Sequence, residues 1–262
     1  MKEEEAYSIL DIISESDGQS VILTRSGSIC IPFELRQPEC YSLSPEEIDE
    51  RDGMYREAFR HMPDGTYVHK QDVFLKKEYH PGKGTGSFLD RADARHFEGR
   101  LYIDHTCILH FVLAGLKSLE KAYVSSPLAY KEHLHREDYR KLEAFLEGVD
   151  NAVSILQNMR GNSVLPMSCE EISGFTRAYS GLFGDTDAVV DIHVDGSLHV
   201  GKNHARCYAV CDETFLPEGN IESYVRDESL PPAASQLYHP LMEQLGMYLP
   251  YNHIVNQVIY FE

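Results

Sequence analysis

The chain has 262 residues, enough to bury a core as one large domain or two smaller ones. Its 42 acidic and 24 basic side chains give a formal charge of −18, a field that repels nucleic acid and anionic lipid head groups and excludes a free-standing DNA-binding domain. The acidic start MKEEEAYSIL is not a signal peptide, no run approaches the roughly 20 apolar residues of a bilayer span, and the six cysteines contain no CxxC, so a soluble chain in a reducing cytosol is expected.

In chain order, SVILTRSGSICIPFE (20–34) is two short apolar runs around RSGS and reads as a hairpin. Ser44, Pro45 and Glu47 then make a reciprocal cap for a helix through SLSPEEIDERDGMYREAFRHM. Its apolar side is Ile48, Tyr55, Ala58, Phe59 and Met62, which should lie on a sheet. TYVHKQDVFLKKEYH (66–80) is a long strand rich in β-branched and aromatic residues. A loop and short helix follow in GTGSFLDRADARHFEGR, and YIDHTCILHFVLAG (102–115) is the most apolar strand. This order predicts an α+β fold, with mixed or antiparallel sheets covered by helices and, by analogy, a ferredoxin-like first half.

The polar stretch 118–135 is the expected boundary between an N-terminal half (1–125) and a second half (126–262), although the two can pack as one domain. Leu142, Phe145, Leu146, Val149, Val153 and Leu156 recur at helical spacing in a long amphipathic helix, suited either to the core or to a partner surface. Ser168 and Glu171 cap another helix. DAVVDIHVDG, SLHVGKN and ARCYAVCD read as a small antiparallel sheet, with Asp195-Gly196 as a hairpin signal. In that third strand Cys207 and Cys211 would share one face as small apolar filling. Residues 212–235 read as a long acidic loop, LYHPLMEQLGM as a short helix and YNHIVNQVIYFE as a terminal strand. A chain that stops on a strand suggests a fragment cut at a domain border.

Two glycine stretches invite a nucleotide reading. A phosphate loop needs GxxxxGK followed by Ser or Thr, so that successive backbone N–H groups wrap the phosphates while lysine and hydroxyl serve charge and Mg²⁺. GKGTGS (82–87) has Gly84 after Lys83 and no strand leading into the turn, and it lacks the GxGxxG setting of a dinucleotide site. GSLHVGKN (196–203) has Gly196, Gly201 and Lys202 at the right offsets, but Asn203 replaces the hydroxyl residue and SLHV alternates like a strand. No cofactor-binding residue is assigned to either stretch.

Thirteen histidines raise a metal question. His105 and His110 are five apart in a strand and face opposite sides, which makes them poor co-ligands. His133 and His135 precede a helix with Glu137 and Asp138 nearby, and His193, His199 and His204 could meet across the small sheet. A zinc site there requires the register to align them with an acid. Asp104 and His105 are adjacent in sequence but separated by alternation, and no serine or cysteine signature accompanies them. No catalytic or metal residue is assigned.

The most distinctive blocks are YVHKQDVFLKKEY (67–79), SFLDRADARHFEGRLYIDHTCILHFV (87–112), LHVGKNHARCYAVCD (198–212) and YNHIVNQVIYFE (251–262). In this order they resemble the N-terminal region of the TraG-type conjugation ATPases of Bacteroidetes conjugative transposons, relatives of the type IV secretion ATPases. The resemblance covers nearly the whole chain. It implies a non-catalytic docking and assembly domain ahead of a motor domain that alone would use ATP and Mg²⁺. The implied partners are inner-membrane secretion-complex proteins and other copies of the ATPase, met at the cytoplasmic face of the inner membrane, with no direct nucleic-acid contact. Two other readings stay open: a regulatory domain contributing a wall to the motor's nucleotide site, and an independent metal-dependent enzyme using His193, His199 and His204.

Overall fold

In the computed structural model, which describes residues 9–14, 19–24, 26–38, 42–81, 87–116, 136–184, 192–194, 196–210, 225–226, 238–239, 249 and 251–261, the first apolar run forms β1 (Ile9–Ser14). It pairs antiparallel with β2 (Ser20–Thr24), which leads by a turn at Ser26–Ser28 into β3 (Ile29–Arg36). Gly27 supplies the turn's φ of 79°, a conformation only glycine adopts without strain. The Thr24 hydroxyl accepts from the Ser28 N–H at 2.9 Å.

Helix α1 (Pro45–Phe59) opens on the expected cap: Glu47 N–H donates to Ser44 Oγ at 3.2 Å, and Ser44 N–H donates to Glu47 Oε2 at 2.9 Å. The chain returns through β4 (Thr66–Glu78), helix α2 (Phe88–Phe97) and β5 (Leu101–Leu113). Helix α3 (Arg136–Asn158), β6 (Ser163–Pro166) and helix α4 (Cys169–Ser180) follow, and α4 carries the Ser168–Glu171 cap. β7 (Ile192–Val194), β8 (Leu198–Val200) and β9 (Asn203–Ala205) form a three-stranded sheet. β10 (Val225–Arg226) pairs β11 (Tyr238–His239), and β12 (His253–Phe261) is the last strand.

The main sheet runs β1-β2-β3-β5-β4-β12, with β6 on the free part of β3. β5 is antiparallel to both β3 and β4, so β3 and β4 are parallel strands joined through α1 with β5 inserted between them. The same holds for β5, α3 and β6 around β3, since β6 is antiparallel to β3. These two split βαβ units give the order β6-β3-β5-β4 of a ferredoxin-like sheet. The fold is thus α+β, as expected, with a small second antiparallel sheet. The ferredoxin-like unit spans residues 29–166, so it takes α3 and β6 from beyond the expected boundary, and β12 adds to the same sheet along β4. The boundary stretch 118–135 itself lies outside the described residues.

Both helices of this unit cover one face. Ile31, Phe33 and Leu35 of β3, Val68 of β4, and Leu109 and Phe111 of β5 meet Ala58 and Phe59 of α1 and Phe145, Val149 and Leu156 of α3. Each such side chain contributes on the order of 1.5–3 kcal/mol by leaving water. The periodic face of α3 therefore packs inward, with Leu142 and Val153 partly buried at its margin, except for Leu146, expected on the same face but 43% exposed because it lies about 100° around the helix from Phe145. It comes close because Gly148 faces the exit of α1, where a Cβ would stand 3.2 Å from the His61 carbonyl oxygen and from Pro63. The opposite face is smaller: Ile22, Cys30, Ile108 and Val112 pack against Met167 and Ile172 at α4.

Two local expectations are corrected. The third strand of the small sheet is Asn203–Ala205, and Arg206–Val210 carry no ladder. The two-residue turn Gly201-Lys202 pairs Val200 with Asn203, so β8, only three residues long, runs out of partners at Ala205. Cys207 is consequently exposed, not apolar filling, while Cys211 lies outside the described residues. Tyr238 and His239, taken as the start of a helix, are instead in β11, because Tyr238 exchanges backbone hydrogen bonds with Leu43 at 2.7 and 2.8 Å. The rest of that segment, and of the acidic stretch before it apart from β10, is outside the described residues.

Candidate functional site

Beyond the rim of the ferredoxin-like unit, the ends of β4 and β5 continue as a paired arm, Leu75–Glu78 against Leu101–Asp104, with α2 between them. Ser87 caps α2 by accepting from Asp90 N–H at 3.3 Å while Asp90 accepts from Ser87 N–H at 2.6 Å. The helix therefore forms locally, although none of its residues is buried. Phe88 is 77% and Leu89 71% exposed, and Phe97, Leu101, Tyr102 and Ile103 are exposed as well. Single exposed apolar residues are ordinary, whereas these stand together on one projection. Residues 75–104 also escape the acidic bias of the chain, with six Lys or Arg against five Asp or Glu.

Two polar clusters lie on the two faces of the main sheet. On the helix-covered face, the Asp72 carboxylate is fully buried and accepts from Lys70 Nζ and, at 2.9 Å, from His105 Nε2. Burial pushes its pKa up, but the hydrogen bond from His105 and the charge and hydrogen bond of Lys70 outweigh it and hold the carboxyl below its usual range. The His105 ring stacks on Phe74 at 4.4 Å, and His253 of β12 stacks on that same ring at 4.6 Å. Asp104, its sequence neighbour, instead pairs with Lys77 on the arm, so the adjacent Asp–His pair is separated as alternation requires.

On the other face a hydrogen-bonded row crosses four adjacent strands. The Nε2–H of His110 donates to Gln71 Oε1 at 2.7 Å, and Gln71 Nε2 donates to Asn256 Oδ1 at 2.9 Å. His69 Nε2 donates to the same oxygen at 3.0 Å. With its proton on Nε2, His110 presents Nδ1 as acceptor to the Cys30 thiol at 3.6 Å. Burial pushes Cys30 up to about 12, and burial together with His69 lowers His110 to about 3. A thiol this weakly acidic is not a nucleophile, and an imidazole this weakly basic does not take its proton. The row sets register between β3, β5, β4 and β12.

This second cluster also sets a pH dependence. The unfolded chain protonates His110 near pH 6.5, whereas the folded chain does so only near 3. Between those values the unfolded state holds the extra proton, so stability falls as pH falls through that window. Urea midpoints measured from pH 7 to pH 4.5 are expected to drop less steeply in His110→Gln than in the parent. Equal slopes would remove His110 as the cause.

The remaining sequence candidates separate clearly. His105 and His110 face opposite sides of β5, each in one of the clusters above. In GSLHVGKN, Leu198–Val200 is a strand, and Gly201, at φ 58°, leads a tight turn, as in a two-residue hairpin. His193, His199 and His204 stand opposite one another across β7, β8 and β9. Gly82–Gly86 of GKGTGS, together with His133 and His135, lies outside the described residues. Asp72 and the row through Asn256 escaped the sequence reading, since both arise from strand register. Alternation in YVHKQDVFL could have flagged Lys70 and Asp72 as polar residues on the same face as Val68 and Phe74.

Among the described residues, no helix is long and apolar enough to cross a membrane. No protein-family model matches the chain, and no curated protein matches it.

Proposed function

We propose that this chain is a non-catalytic docking and assembly domain of a conjugative-transfer ATPase of the type IV secretion kind. On this reading it works at the cytoplasmic face of the inner membrane, held there by protein partners, and binds inner-membrane secretion proteins and other copies of the ATPase. ATP and Mg²⁺ belong to a motor domain elsewhere in the longer protein. The four sequence blocks that resemble the TraG-type ATPases supply the family. The single structural observation that carries the docking role is the arm, with Phe88 and Leu89 presented to solvent on a helix that buries nothing of its own. Its near-balanced charge lets it approach acidic surfaces that the rest of the chain repels.

Phe88→Asp combined with Leu89→Asp tests this reading in cells that carry the intact transfer system. Neither side chain supports the core, so the melting temperature of the purified chain should stay within a few degrees of the parent, as for most surface substitutions. The frequency of conjugative transfer is expected to fall at least about tenfold, the equivalent of about 1.4 kcal/mol of lost contact. Unchanged transfer with a stably expressed variant would contradict the docking role of the arm.

A further inference from the structure

The three-stranded sheet β7–β9 is small: each strand has three residues, and among the described ones only Val200 is buried. Sheets of this size need support beyond their own core. Its register places His193 directly opposite His199, and His199 directly opposite His204, so three imidazoles form a line across one face. Their ring centroids are 4.7 and 4.2 Å apart. His193 and His204 are exposed.

We propose that His193, His199 and His204 bind one divalent transition-metal ion of the zinc class, which cross-links the three strands. Imidazole is a preferred ligand of such ions, and three histidines with water in the fourth position make a complete zinc site. Adjacent strands stand about 4.8 Å apart, so the outer histidines start about 10 Å from each other, with the central ring between them. As placed, His193 and His199 are stacked with planes 1° apart, and no three potential ligands among the described residues converge. Binding therefore requires the outer rings, His193 and His204, to turn to other staggered rotamers about His199, a cost that is small beside the free energy of structural zinc sites. The Ser197 hydroxyl lies 2.8 Å from His199 Nε2. Ligation through Nδ1 keeps that serine as an outer partner of the kind that orients metal-bound histidines. The acid required by the sequence reading is replaced by water.

Calorimetric titration of zinc chloride into the chelator-treated 262-residue chain tests the site. One saturable ion per chain is expected, with binding weakened at least about tenfold in each of His193→Gln, His199→Gln and His204→Gln. The exposed His96→Gln on α2 should bind like the parent. Circular dichroism of each variant separates loss of a ligand from loss of fold. Cobalt(II) provides a readout on the unaltered chain, where a four-coordinate spectrum with nitrogen ligands supports the site and a weak octahedral one overturns it. Parent-like zinc binding in His199→Gln, an equal loss in His96→Gln, or no saturable binding by the parent would also overturn the proposal.

Discussion

Asp72→Ala is expected to destabilise the chain by about 3–5 kcal/mol, read as a lower urea midpoint, because breaking a buried ion pair leaves its partners uncompensated. Asp72 is fully buried, and the Lys70 side chain is only 15% exposed. Removing the carboxylate strands an ammonium under the helices and takes the acceptor from His105. Asp72→Asn keeps the volume and an acceptor for His105 but loses the charge, so it should fall between the parent and Asp72→Ala. Glu34 and Arg36 provide the contrast. They form a two-pronged pair at 2.9 Å on the surface, and Glu34→Gln should cost no more than about 1 kcal/mol. The depressed pKa of Asp72 means that its contribution is present above the ordinary carboxylate range and is lost as pH falls through the folded value. That loss comes at lower pH than the onset of the His110 effect. If Asp72→Ala and Glu34→Gln shift the midpoint equally, the buried cluster is not what stabilises this part of the sheet.

Phe111→Ala is expected to cost a similar amount, about 3–5 kcal/mol, through the cavity it opens. Phe111 is 0% exposed, and its ring packs edge-on against Phe33 at 5.8 Å and against Phe59 at 6.3 Å. It thus joins β3, β5 and α1 at the centre of the ferredoxin-like unit. Phe111→Leu keeps most of the volume and should cost about 1.5 kcal/mol or less. Differential scanning calorimetry on the two variants checks both values. Two nearly identical melting temperatures would mean that the site collapses around the smaller side chain.

Local chemistry was legible in the sequence wherever a few neighbouring residues decide the geometry. The caps at Ser44 and Ser168, the hairpin of β2 and β3, and the strand in SLHV all formed as read. So did the opposite facing of His105 and His110, which follows from alternation alone. Strand partners were not legible, because pairing depends on residues far apart. β12 lies on β4 across some 187 positions, as His69 and Asn256 show, and no local pattern announces it. β6 is four residues ending in Pro166, too short for periodicity to register. The β9 error had a similar source: ARCYAVCD alternates well, but a ladder also needs a partner long enough to pair with it. The arm shows a third kind of limit. FLDRADARHF reads as an ordinary short helix, and only the tertiary fold reveals that its Phe88 and Leu89 find no core.

The most direct test of the docking account is site-specific photo-crosslinking in cells carrying the transfer system, with the reactive residue placed at Leu89 on the arm and, separately, at Glu143 on the exposed side of α3. The account predicts a discrete adduct from Leu89, to an inner-membrane secretion protein or to another copy of the ATPase, and none of that size from Glu143. No adduct at Leu89, or the same adducts from both positions, would contradict it.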